Sequence, residues 1–119
     1  MNDAAMDTRT TPTERRHATA GVLHEVSIER AAQEIRWGQQ NHVWYREVGP
    51  RWQRFDNADE ARQAVNAAAQ ADRLDYAGIL TEEFLEALEA GTLADVRAEL
   101  VQVAAVAVAA IESIDRNGR

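Results

Sequence analysis

Carboxylates dominate the residues of this chain that could do chemistry. Glu82, Glu83 and Glu86 lie close together, Glu89 follows, and Asp95, Glu99 and Gln102 come after a short interruption at Gly91 and Thr92. From Glu82 to Glu99 there are six acids and one base, Arg97, a local net charge of −5 within a whole-chain charge of −7. Glu83 and Glu86 are three positions apart, as are Glu99 and Gln102, so on helices each pair shares a face. A tight turn at Gly91-Thr92 makes the two helices antiparallel neighbours, with Glu83 level with Gln102 and Glu86 level with Glu99. Four oxygen-bearing side chains then converge. Convergent carboxylates repel, and the repulsion is relieved by raised pKa values, by Arg partners or by a bound cation. Mg²⁺ prefers carboxylate oxygens, keeps several waters and reaches substrate phosphates, so the charge and geometry suit metal-assisted cleavage of a phosphoanhydride. The alternative is a solvated acidic helix face with no ligand.

Two further groups of side chains could serve a substrate. Trp37, Gln39, Gln40 and His42 cluster at the end of an expected helix, where Gln can read a base edge and Trp can stack on a base; equally, Trp37 could anchor the core and His42 lie on a surface loop. The segment Trp44, Tyr45, Arg46, Arg51, Trp52, Arg54 and Phe55 mixes aromatic planes with guanidinium groups. That mixture suits capture of a base and a triphosphate, and packing of a loop against the domain is the competing explanation. His17 and His24 have no metal-ligand spacing.

These groups must be positioned by helices. Apolar periodicity begins at Val22 and continues through Val26, Ala32 and Ile35, predicting a first helix over 23–37 stopped by Gly38. Residues 1–20 lack that periodicity and read as a mobile tail, leaving a domain over 21–116. Residues 39–57 read as a long connection. A second helix is expected from Asn57, its N-cap, to about Leu74, followed by a break at Asp75–Gly78. A third, over 79–90, places Leu80, Phe84, Leu85 and Leu88 on its apolar side. The fourth starts from Thr92 as N-cap and runs to about Asp115, with Gly118 beyond. No strand pattern competes, so the expected fold class is all-α, a four-helix bundle. Val103 to Ile111 is apolar around the whole circumference, which calls for cover on every side and predicts a homo-oligomer.

Composition limits the functional classes. The 119 residues contain no cysteine, which excludes thiolate chemistry, and all 13 basic residues are arginine. The acidic balance argues against a direct nucleic-acid binder. The longest apolar run is half of what a membrane span needs and the N-terminus has no apolar leader, so a soluble, cytoplasmic protein is expected.

Three strings, RWGQQNH at 36–42, ILTEEFLEA at 79–87 and AELVQVAAVAVAAIESIDR at 98–116, resemble the MazG-like, all-α nucleotide pyrophosphohydrolase superfamily over about residues 24–116. Its signature is EExxE followed by ExxD. Glu82-Glu83-Phe84-Leu85-Glu86 matches the first half and Glu99 begins the second, while Gln102 stands where the family has Asp. The resemblance implies a helical homodimer or homotetramer that hydrolyses nucleoside triphosphates to monophosphate and pyrophosphate with Mg²⁺, Mn²⁺ being a substitute. It implies Glu83, Glu86, Glu99 and Gln102 as metal ligands, with Glu82 a further ligand or the group orienting the attacking water. Trp37, Gln40 and His42 become the base side of the pocket, with Arg46 and Arg54 toward the phosphates. A scaffold with its metal site weakened at Gln102, serving as a nucleotide-binding regulator, is the alternative.

Overall fold

The computed structural model describes residues 8–46 and 55–119, and every regular element among them is an α-helix. They are α1 (Pro12–Trp37), α2 (Ala58–Gln70), α3 (Tyr76–Glu89) and α4 (Leu93–Asn117). No helix among the described residues is long and apolar enough to cross a membrane.

The helix starts follow from side chains that satisfy the free N–H groups of a first turn. Asn57, Asp75 and Thr92 each accept from the backbone N–H three residues on, at Glu60, Gly78 and Asp95. The first helix starts eleven residues before the expected Leu23. Thr11 and Glu14 form a reciprocal capping box with Pro12 in the first turn, so 12–20, expected as tail, are helical. The apolar pattern could not reveal this half of α1, because residues 12–24 are all exposed. The second helix ends at Gln70 instead of Leu74, followed by Asp72 with φ 56°. The expected break at 75–78 is instead the first turn of α3, since Asp75 caps it. The α3–α4 turn comprises residues 90–92, one more than expected. Gly38, with φ 70°, closes α1 as anticipated, where a side chain would be strained.

The hairpin of α3 and α4 is the centre of the molecule. Helix α2 packs on α3 and α1 packs on α4, with no comparable packing of α1 on α2, so the four helices form an open row. Tyr76, Val106, Ala109 and Ala110 form one buried cluster, flanked by Ile79 and Leu80, while Val65 and Ala68 form a second on α2. One side of the apolar stretch of α4 is therefore covered, and Ile111 remains exposed.

The face that α1 turns inward differs from the periodicity. Val26 is buried as expected, but Ile35 is almost fully exposed, and the next buried position after Val26 is the polar Gln33. Arg30 lies between them, with Nε and Nη2 each 2.9 Å from a carboxylate oxygen, of Glu112 and Glu34 respectively. Arg30 and Gln33 of this inner stripe line a cleft between α1, α3 and α4.

Candidate metal centre

The α3–α4 hairpin brings Glu83, Glu86 and Glu99 together, with one carboxylate oxygen from each lying within 4.8 Å of the others. Around octahedral Mg²⁺, with bonds of about 2.1 Å, opposite oxygens stand about 4.2 Å apart. The three oxygens are therefore within a small side-chain adjustment of one coordination sphere. All three residues are partly buried. Gln102 is also half-buried and follows Glu99 by three positions on α4, the helical spacing that puts both on one side.

Burial and mutual repulsion raise the carboxyls of the cluster. Burial, then the charges of Glu86, Glu99, Glu82 and Glu29, push the Glu83 carboxyl up to about 7. Glu82 is raised to about 7 as well, by burial first and then by its hydrogen bond and charge contact with Glu86. Glu99 is raised by burial, Glu86 and Asp95. Arg97, the base expected nearby, is engaged elsewhere, donating to Glu25 on α1 at 2.9 Å. Arg62 on α2 comes closer to the cluster instead, at 3.7 Å from Glu82 and 3.9 Å from Glu86. One half-exposed guanidinium offsets part of the charge, and the three carboxylates could hold a metal ion. Glu89 lies outside the cluster: its carboxylate accepts from the Ala58 N–H at 2.6 Å and ties α2 to α3.

Next to Glu83 a narrow cleft opens between α1, α3 and α4, and both Trp37 and Gln40 line it. His42 and Arg46 take other positions. The His42 ring meets Tyr76 edge to face at 5.3 Å, its Nε2 is buried without a hydrogen-bond partner among the described residues, and burial pushes the imidazole below its usual range. Arg46 is exposed and donates its backbone N–H to the buried Asp75 at 2.8 Å. Arg54, Arg51 and Trp52 lie outside the described residues.

Residues 38–46 form a strap that fixes this wall. The carbonyls of Val43 and Trp44 accept from the first-turn N–H groups of Tyr76 and Ala77, and the Tyr76 hydroxyl donates to the Gln40 carbonyl at 3.0 Å. From α4, Ser113 donates to the His42 carbonyl and Arg116 to the Gln40 carbonyl and the Asn41 side chain. Sequence reasoning passed over Asp75, Tyr76, Arg30, Gln33 and Arg62, all of which shape the site. The signal for Gln33 was available, since it lies one turn before Trp37 and three residues after Arg30. Comparison of the chain with family models, curated proteins and solved structures returns no match.

Proposed function

We propose that this protein is a Mg²⁺-dependent nucleotide pyrophosphohydrolase of the MazG-like, all-α type, converting nucleoside triphosphates to monophosphate and pyrophosphate. The observation that carries the reading is the convergence of Glu83, Glu86 and Glu99, the residues of the EExxE and downstream Glu pattern. Glu83 also lines the cleft walled by Trp37 and Gln40, which gives a base a place beside the carboxylates. Mg²⁺, or Mn²⁺ in its place, would supply a Lewis acid at the phosphates and a more acidic bound water. Glu83, Glu86 and Glu99 would hold it, with the Gln102 amide oxygen as a neutral fourth donor. Glu82, whose carboxyl is raised to about 7 and so ionises near neutral pH, would orient the attacking water or, once ionised, take its proton. Attack at the α-phosphorus with pyrophosphate leaving conserves the phosphorus count: one phosphate stays on the nucleoside and two depart.

A homodimer or homotetramer is part of this proposal. Its support is the apolar surface of the hairpin, where Phe84, Leu88, Leu100 and Ile111 are all at least half exposed. The regulator reading has one observation of its own, the neutral Gln102 at a position where a carboxylate would hold the cation more tightly. Incubation with each common nucleoside triphosphate and Mg²⁺, with products separated by chromatography and Glu83→Ala as control, tests the reaction. Monophosphate and pyrophosphate that vanish in the control support the enzyme. Metal-dependent nucleotide binding without turnover moves the conclusion to the regulator.

A further inference from the structure

Among the described residues, the ion pairs of the carboxylate cluster come from one side chain, Arg62 on α2. Three carboxylates share its guanidinium and none holds it closely: Nη1 stands 3.5 Å from Asp59, Nε 3.7 Å from Glu82 and Nη2 3.9 Å from Glu86. A charge-assisted hydrogen bond of a guanidinium is about 2.7–2.9 Å long. Arg30 and Arg97 reach that distance, at 2.9 Å from Glu112 and Glu25. Arg62 therefore lends charge to the cluster without being bonded into it.

Glu86 belongs to two sets at once. It is one of the three residues whose oxygens lie within 4.8 Å of one another, and it is also a partner of Arg62. Arg62, Glu86 and Glu99 line one open groove between α2 and the α3–α4 turn, so solvent and ions reach these carboxylates from the side on which Arg62 stands. A single and a double positive charge about 6 Å apart repel by more than thermal energy even at the dielectric constant of water. What Arg62 offers the carboxylates is thus set against what a divalent ion gains from them.

We infer that Arg62 is a built-in competitor of the metal ion, sharing Glu86 with it and holding down the affinity of the site until the ion takes that carboxylate over. This rests on the metal reading of Glu83, Glu86 and Glu99, and it assigns the tuning of that site to α2, outside the hairpin that builds it.

Calorimetric titration of MgCl₂ into the full chain, stripped with EDTA and then dialysed, tests this in the wild type and in variants. Arg62→Gln is expected to bind Mg²⁺ at least about fivefold more tightly at low ionic strength. The gain should shrink below about twofold near 1 M NaCl, where charges are screened within about 3 Å. Arg62→Lys, which keeps the charge, should stay within about twofold of the wild type. Arg97→Gln should too, because Glu25 already holds that charge. Arg62→Ala, equally neutral and in a better helix former, repeats the test, and circular dichroism confirms that each variant is folded. The direction of the change separates this role from a structural one, since a residue that merely steadied the glutamates would weaken binding on removal. Affinity equal to or below that of the wild type in the folded neutral variants, or an equal gain in Arg97→Gln, overturns the inference and leaves the metal reading standing. Mg²⁺ binding that appears only in the neutral variants supports it and removes the reading of the wild type as a Mg²⁺ enzyme. No Mg²⁺ binding in any of them overturns both.

Discussion

At Glu82 and Glu83, protons and metal compete for the same oxygens. Both carboxyls are raised from 4.5 to about 7 in the folded chain, so folding takes up protons between those values. The associated stability is full below about 4.5 and is lost as the pH rises through about 7. In EDTA, thermal melts are therefore expected to show a midpoint that falls as the pH rises from about 5 to about 8. Mg²⁺ should restore it more at the upper end, and a midpoint flat with pH and metal would show that the carboxylates neither titrate nor bind as described. Gln102→Asp supplies the charge that the ExxQ sequence lacks. It should tighten Mg²⁺ binding by about tenfold or more in calorimetric titration, comparable to changes seen when a ligand environment is altered. At this scale the carboxylate triad was legible because i, i+3 spacing across a tight turn fixes relative height. Arg62 was not, because its place beside Glu82 and Glu86 depends on how α2 packs on α3.

Among the elements, α1 shows how capping and packing divide the work. Its first half is held by the Thr11–Glu14 box and exposed all round, while its second half packs on α4. Thr11→Ala should cost about 1 kcal/mol locally. The loss is expected as faster amide exchange over residues 14–20 with the thermal midpoint nearly unchanged, because this half adds little to the cooperative core. A large drop in the midpoint would mean that the first half is packed against something. The strings TPTE and DYAG already carried the capping chemistry of the α1 and α3 starts, but apolar periodicity is blind to a helix segment that buries nothing. It also misplaced Ile35, since the inner stripe of α1 is drawn by the ion pairs of Arg30 as much as by apolar burial.

For the whole molecule, the all-α class follows from alanine-rich periodic segments, while the open order of helices, α2 on α3 and α1 on α4, does not. That order leaves Phe84 and Leu88 of α3 and Leu100 of α4 at least half exposed. Sedimentation velocity is expected to give a dimer or larger, with Phe84→Glu and Leu88→Glu together shifting it to monomer. A wild-type monomer would remove the oligomer from the proposal. The Arg30–Glu112 pair joins residues 82 apart, whereas the metal cluster is assembled within a hairpin of neighbouring helices. Closing the longer span costs about 1.5 kcal/mol more in chain entropy than bringing Glu83 to Glu99. The hairpin should therefore form at the folding barrier and the strap and α1 dock afterwards. In stopped-flow measurements, Ser113→Ala, which removes one of the bonds that hold the strap, should quicken unfolding and leave refolding nearly unchanged, whereas Ala105→Gly within the hairpin should slow refolding. The carboxylates would then be gathered, and able to meet a cation, before the wall of the cleft beside them exists.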